Sequence, residues 1–432
     1  MTNSFGEFTN AKMFFVIGSN MTEAHPVAST FVKNAVEKGA SLIVADPRKH
    51  KLVDFADLHL PLKVGSDIAL LNGLMHVLIN ENLYDTEFVE NHTEDFDKLK
   101  AVVGTYPPER AAEISGIPAD TIIQTARTLA SVKPVMVCYT LGITEHTCGR
   151  NNVVSIANLQ MLLGNMGVEC GGVNPLRGQN DVQGACDMAA LPNVLPGYQP
   201  VTDPAAREKF ERFWDVENLP GEIGLMIPQM MEGLEDKKVR AFYVFGENLA
   251  NTEPDITKVE KELAAAEFLI CQDIFFTETT RFADVVFPAA AWSENDGTFT
   301  NSERRVNRVR TASVPPGEAR PNWWIFRELA RRFGAEWESD SAQEIWDNEI
   351  SRLSPALGGI KYSRIENDGL QWPCPTPEHP GTGFLHSSGS FTRGKGQFIP
   401  AEWTPPAETP DKDYPYVLST GRRLYHYHTR TQ

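Results

Sequence analysis

A chain of 432 residues, 41% hydrophobic and 22% charged, is globular and too long for one core, so two or three domains are expected. Its formal net charge of −17 argues against a nucleic-acid surface and a basic membrane-docking face; an anionic ligand must be held locally, by glycine loops, helix N-termini and a few placed arginines. Neither a leader nor an apolar run approaching the ~20 residues of a membrane helix is read, so a cytoplasmic protein with no membrane segment is expected.

The opening predicts a βαβ unit. "KMFFVIGSN" (12–20) is an apolar strand running into Gly18-Ser19-Asn20. Val27, Phe31, Val32, Ala35 and Val36 then line one face of a helix, with Pro26 in its first turn and Gly39 at its stop. "SLIVADPR" (41–48) is the next strand, ending at Asp46 and Arg48. Strand, helix, strand at this spacing implies a parallel sheet. "PADTIIQTARTLAS" (118–131) is a helix, "VMVCYTLG" (135–142) a strand and "NNVVSIANLQMLLGNMG" (151–167) another helix. That strand empties into Leu141-Gly142-Ile143-Thr144-Glu145-His146, again at a carboxyl end. "GVNPLRGQNDVQGACDM" (172–188) holds three glycines, two asparagines, two glutamines, two aspartates and one arginine, too polar to bury much surface, and reads as a loop. None of the six cysteines stands at CxxC spacing, so no zinc or iron–sulfur site is read, and most are expected to be small buried residues.

The opening pattern then returns. "VRAFYVFGEN" (239–248) is a strand ending in Gly246-Glu247-Asn248, and "EFLICQDIF" (267–275) a strand ending at Gln272 and Asp273. Gly18 to Asp46 is 28 residues and Gly246 to Asp273 is 27; 11 positions beyond each aspartate comes an Ala-Asp pair, Asp57 and Asp284, then an apolar stretch closed by Pro61 and Pro288. Two related dinucleotide-binding-like halves are therefore expected, with ligands outside the carboxyl ends of the strands. A tight turn and a helix cap would ask for the same Gly-x-Asn and Asp, so each copy alone leaves both readings open; the duplication favours a ligand. Neither copy carries GxGxxG, which weakens a plain NAD-binding reading.

"GVNPLRGQNDVQGACDMAALPNVLPGY" resembles the corresponding loop of molybdenum- and tungsten-dependent formate dehydrogenases, within the dimethyl-sulfoxide-reductase superfamily. "VADPR", "LKVGSDIALLNGL", "GITEHT", "CQDIF", "ADVVFPAAAWSENDGTFTNSERR" and "LSTGRRLYHYHT" fall in that family's order, so the resemblance runs over essentially the whole chain. It implies an α/β fold: two related Rossmann-type halves with parallel sheets, plus the beginning of a C-terminal β-barrel. The domains expected are 1–179, 180–340, a mixed connecting region 341–404, and the barrel's start at 405–432.

It implies bis(molybdopterin guanine dinucleotide) with molybdenum or tungsten. Gly18, Asn20, Asp46, Arg48, Gly65 and Asp67 would serve one guanine tail, and Gly246, Glu247, Asn248, Gln272 and Asp273 the other, with Gly142, Thr144 and Glu145 also on the cofactor. Gly178, Gln179 and Gln183 would meet pterin ring edges, which need donors and acceptors on several sides. Arg177 is expected to hold substrate, because a guanidinium fork can bind formate's planar carboxylate with two charge-assisted bonds; a salt bridge to cofactor phosphates or a loop aspartate is the alternative.

The resemblance also implies features upstream of Met1: a 4Fe-4S-binding segment and a selenocysteine or cysteine metal ligand followed by histidine. The chain is expected to be the central part of a catalytic subunit, inactive by itself, and its start to follow a selenocysteine UGA codon read as a stop. The complete enzyme would convert formate to carbon dioxide or the reverse, passing electrons through the cluster to an iron–sulfur/flavin partner subunit and on to NAD. The alternatives are a non-catalytic electron-transfer subunit like the superfamily member in respiratory complex I, and a domain that only binds or stores the cofactor.

Overall fold

Strand β1 (Met13–Ile17) is buried along its whole length, and that decides the architecture around it. Successive side chains of a strand point to opposite faces, so five buried residues in a row require cover on both sides. A computed structural model describing residues 1–426 supplies that cover. On one face Phe14 and Val16 pack with Val32 and Ala35 of α1 (Pro26–Glu37), whose first residue is the expected proline. β2 (Ser41–Ala45) and β3 (Leu58–Leu60) follow in sequence. On the other face Met13, Phe15 and Ile17 pack with Leu70, Leu74 and Leu78 of α2 (Asp67–Asn80), and with α3 (Ala119–Ser131) and α4 (Gly149–Leu162), which flank β4 (Val135–Tyr139). β5 (Val173–Pro175) closes the sheet, whose order is β3-β2-β1-β4-β5 with every pair parallel. Helix α2 is buried at every position but His76 and Asn80, so no amphipathic stripe marks it in the sequence.

The polar stretch 172–188 is not wholly a loop. Its first part is the edge strand β5, where Pro175 removes no interior ladder bond, and its last part is a short helix, α5 (Val182–Asp187). The described chain divides there into two compact units, Met1–Gly178 joined by residues 383–426, and Gln179–Thr382.

In the second unit α6 (Ile227–Glu235), β6 (Ala241–Phe245), α7 (Ile256–Ala264), β7 (Phe268–Asp273) and β8 (Val285–Pro288) build a smaller parallel sheet of order β8-β7-β6. One face is covered by Met231 and Leu234 of α6 and Val259 and Leu263 of α7, packed on Val244, Leu269 and Cys271. An antiparallel sheet follows, β9 (Gly297–Thr300), β10 (Arg305–Val309) and, after α8 (Asn322–Arg332), β11 (Leu370–Gln371). Phe326 of α8 stacks on Tyr243 and Phe245, with ring centroids 5.7 and 5.2 Å away.

The numerical repeat in the sequence has a geometric counterpart. Gly18 donates its N–H to the Ala45 carbonyl at 2.9 Å, and Gly246 donates to that of Gln272 at 2.9 Å. Both glycines sit at positive φ, +56° and +63°. The Asp57 carboxylate accepts the Leu42 N–H at 2.9 Å, as Asp284 accepts that of Leu269 at 2.8 Å. Each is thus a side-chain rung pinning the third strand to the second.

Residues 383–404, which the sequence reading assigns to a connecting region, pack into the first unit. Gly396–Gln397 pairs in parallel with Thr93–Glu94, Asn158 donates to the Ile399 carbonyl at 2.7 Å, and Asn72 to that of Ala401 at 2.9 Å. The barrel start expected at 405–432 forms no strand within residues 405–426, where Tyr416 and Leu418 stand 90% and 88% exposed. The rest of that expectation, residues 427–432, lies outside the described residues. No helix among the described residues is long and apolar enough to cross a membrane.

Because Phe15 is fully buried in close-packed surroundings, Phe15→Ala is expected to lower the unfolding free energy by about 3–5 kcal/mol. Phe333→Ala, at a side chain 89% exposed, should change it by less than about 0.5 kcal/mol. Denaturant titration of the two variants beside the parent checks both.

Candidate functional site

Because all five strands of the first sheet run the same way, their carboxyl ends open on one edge. At that edge the turn after β1 meets the turn after β4. The Gly18 carbonyl accepts both the Gly142 N–H (3.2 Å) and the Thr140 hydroxyl (2.9 Å). A Cβ on Gly142 would lie 2.6 Å from the Gly18 oxygen, and one on Gly18 would lie 2.8 Å from the Gly142 carbonyl carbon. Both positions therefore need glycine for closeness, and Gly18 needs it for its positive φ as well. Thr144 and Glu145 are exposed just beyond, on the turn that follows Gly142.

Asp46 and Asp67 come to the same edge, 7% and 5% exposed. One oxygen of Asp46, Oδ1, accepts the Arg48 N–H at 2.9 Å. Asp67 starts α2, and burial pushes its carboxyl up to about 6; the charge of His146 opposes the shift and that of Asp46 adds to it. Asn20 begins the short helical turn Met21–Ala24 and accepts the Thr22 hydroxyl at 2.8 Å. Ser19, between Gly18 and Asn20, has a buried Oγ with no hydrogen-bond partner among the described residues. Gly65 is used differently: its carbonyl accepts the Trp403 indole N–H at 2.9 Å, and a Cβ there would lie 2.5 Å from the Pro406 ring.

Arg177 leaves the edge strand β5 at this same end of the sheet. Its position is set through the backbone: Leu176 donates to the Tyr139 carbonyl at 3.0 Å, and the Arg177 carbonyl bonds His25 Nε2 at 2.7 Å. Burial raises the Tyr139 hydroxyl to about 12 while the Arg177 charge pulls it back, so the guanidinium stands near that ring. The other His25 nitrogen, Nδ1, is buried without a partner, and burial holds this imidazole below its ordinary value. Gly178 is exposed, with open space where a Cβ would stand. Neither Ser19 nor His25 is a sequence-predicted site residue. The available signal is local: each polar residue sits within a few positions of the strand-end glycine.

In the second unit Gly246 opens on empty space, and the Asp273 Oδ1 accepts the Phe275 N–H at 3.1 Å, as Asp46 accepts that of Arg48. The loop after Asp273 lines an open concavity of about 590 Å³, bounded by Phe275, Phe276, Thr277, Glu278, Thr280 and Arg281. Other expected residues are engaged within the fold. Gln272, fully buried, accepts the Tyr243 hydroxyl at 2.5 Å and donates to Asn322 at 2.8 Å. Asn248 donates to Glu278 at 2.8 Å and accepts the Thr279 hydroxyl at 2.8 Å. Glu247 accepts its neighbour's N–H and the Thr252 hydroxyl. Gln183, on α5, donates to Asp187 at 2.8 Å and to the Tyr198 hydroxyl at 2.9 Å. Gln179 is half-buried at the start of this unit.

Among the described residues no group of His, Cys, Asp and Glu is arranged to hold a metal ion. Both edges instead offer positive-φ glycine turns, a strand-end carboxylate and, in the first unit, an unpaired hydroxyl, a donor set for an organic ligand with polar edges and phosphates.

Residues 1–332 match the family model for molybdopterin oxidoreductases, and the chain belongs to that family. Membership implies a molybdopterin cofactor with molybdenum or tungsten, and the edge residues fit its organic part. Among its relatives, the F420-dependent formate dehydrogenase 2 subunit alpha of Methanococcus maripaludis is 46% identical over 435 residues, covering 100% of this chain and 64% of that protein. Formate dehydrogenase H of Escherichia coli is 41% identical over 435 residues, covering 100% of this chain and 61% of that protein. The chain therefore spans less than two thirds of the length of these relatives. Acetylene hydratase from Pelobacter acetylenicus superposes with a TM-score of 0.67 at 25% identity, over 91% of this chain and 56% of that one.

Asp67 gives a pH test of the site's electrostatics. Its folded-state carboxyl, raised from 3.8 to about 6, keeps its proton where the unfolded chain has released it, so stability falls as pH rises through that window. Relative to Asp67→Asn, the parent should lose up to about 3 kcal/mol between about pH 4 and about pH 7. Denaturant titration across that range measures the loss, and a pH-independent difference would mean that Asp67 ionises as it does in water.

Proposed function

We propose that this chain is the dinucleotide-holding part of a formate dehydrogenase catalytic subunit, and that each parallel-sheet unit is a Rossmann-type half taking one guanine tail of bis(molybdopterin guanine dinucleotide). The observation that carries the reading is the repeated edge. In both units a positive-φ glycine follows the first strand and an aspartate closes the second, its Oδ1 fixed by the N–H two residues on. Glycine turns without side chains let a pyrophosphate approach the main chain closely, and a pinned carboxylate suits the donors of a guanine or a ribose. Formate as substrate is supported by the relatives, formate dehydrogenases 41–46% identical over the whole chain.

When bound, the metal centre of such a cofactor accepts the two electrons that formate gives up on becoming carbon dioxide and a proton. This chain's share is to hold the substrate. Arg177 presents two parallel N–H groups to a planar carboxylate, its main chain anchored by His25 and Tyr139. The His25 imidazole, half-buried and held below its ordinary value, keeps a second positive charge from competing for the anion. The electrons pass to a partner subunit. The Methanococcus maripaludis relative is named for F420, so we take F420 rather than the NAD expected from the sequence as the acceptor chemistry to try first.

Arg177→Lys, introduced into the complete enzyme, keeps the charge but loses the fork, a loss of about 1.5–3 kcal/mol. kcat/KM for formate should fall roughly ten- to hundredfold while metal content per protein stays at the parent level. Loss of metal with unchanged kinetics per metal would make Arg177 a cofactor anchor instead.

A further inference from the structure

The first unit holds a buried histidine that neither the fold nor the substrate reading uses. His50 lies four residues beyond Asp46, with only 5% of its side chain exposed. Both ring nitrogens are buried with no hydrogen-bond partner. Its Nε2 stands 3.7 Å from Asp46 Oδ2, too far for a hydrogen bond and near enough that a small ring rotation makes one. Asp46 Oδ1 is already fixed by the Arg48 N–H, so Oδ2 is the oxygen left to be set. His59, on β3, cannot set it: its Nε2 bonds the Asp46 main-chain oxygen at 2.9 Å.

The other unit repeats the feature. The position four beyond Asp273 is Thr277, and its hydroxyl is also buried and unpartnered. Unpaired buried polar groups are few in a folded chain, because each forfeits its hydrogen bonds to water. Two at matching positions of a repeat, each four residues beyond the strand-end aspartate, mark a position kept for a ligand or for what holds it.

We propose that His50 is the positioning residue of Asp46: its ring N–H closes on Oδ2 and fixes the carboxylate so that the outer lone pairs face the donors of a guanine nucleotide. The proposal rests on the reading of this edge as a guanine-tail site. A carboxylate offers about four lone-pair sites, so Oδ2 can accept from His50 and from a ligand together. Burial is the strongest influence on the His50 ring and keeps it below its ordinary value; Arg48 and His59 push the same way and Asp46 opposes them. The neutral ring still offers one N–H, which is all the role requires.

The test uses the full 432-residue chain and GDP as the probe, with ADP as control, by titration calorimetry and thermal melting. The parent should bind GDP more tightly than ADP. His50→Leu should weaken GDP binding roughly tenfold or more, without lowering the melting temperature of the free chain, since an apolar side chain leaves no buried donor unpaired. His50→Gln, whose amide nitrogen can take the place of Nε2, should recover most of the affinity, and His50→Asn, one methylene shorter, should not. GDP binding by His50→Leu at the parent's affinity overturns the proposal, as does a lowered melting temperature with unchanged affinity. If His50→Leu does not fold, equal GDP affinities for the Gln and Asn variants overturn it. A parent that does not bind GDP, or binds ADP equally well, overturns the guanine-site reading itself, and the role of His50 with it.

Discussion

The close approach of Gly18 and Gly142 is the contact on which the rest of the first unit turns. A carbonyl that accepts both a backbone N–H and the Thr140 hydroxyl ties the end of β1 to the end of β4. The two strands are neighbours in the sheet but far apart in sequence, and the strand order reverses on either side of them. Connections from β1 go one way and those from β4 the other, which is the place on such a sheet edge where ligands bind. A side chain at either glycine would force the turns apart and disturb Ser19, Asn20 and the entry to α1 together. The site is thus a consequence of sheet order, held at its narrowest point by two residues without side chains.

Cover on the two sheets differs, and the difference bears on rigidity. β1 and β4 are buried along their whole length. β6 has only Val244 fully buried, with Phe245 49% exposed beside Phe326. Buried strands held on both faces open only with global unfolding, whereas half-covered ones are free to open locally. The second unit offsets its thinner cover with side-chain hydrogen bonds: Gln272 to Tyr243 and Asn322, Asn248 to Glu278 and Thr279. Residues expected from their sequence position to serve a ligand are hydrogen-bonded within the frame there, in a short sheet with one well-packed face.

Much of this was legible in the sequence wherever one element's signal stood alone. β1, α1, β2, β4, β6 and β7 carry apolar runs of the right length ended by glycine or aspartate, and the repeat was visible as a set of equal offsets. Helix α2 was not legible, since a helix buried all round has no polar face to give it a period. Strand β5 and helix α5 were hidden in a stretch so polar that it reads as loop. Their burial comes from partners far off in the chain: Thr2, which bonds Val173, and Trp372, which bonds Asp187. The return of residues 383–404 to the first unit was equally invisible, because side-chain bonds from Asn72 and Asn158 fix it and no local pattern does. The role of His50 could not be read either: a histidine four residues past an aspartate is unremarkable until its burial is known.

The charge balance then constrains how a dinucleotide could lie on the first edge. The chain carries −17 overall, and Asp46 and Asp67 are close enough for Asp46 to raise the carboxyl of Asp67. Two buried carboxylates repel phosphate and attract N–H and O–H donors, so they suit the base or sugar end of a nucleotide and not its pyrophosphate. The pyrophosphate needs close approach to the main chain, and Gly18 and Gly142 are where side chains are absent from this edge. Arg177, at the end of β5, is a cation three strands along from Asp46 and close enough to Tyr139 for its charge to act on that hydroxyl. Donor-seeking carboxylates toward β2, bare turns at β1 and β4, and a fork at β5 form a polarity gradient along a single sheet edge. A ligand that runs from a donor-rich base through phosphates toward a site for a small anion would match it end to end.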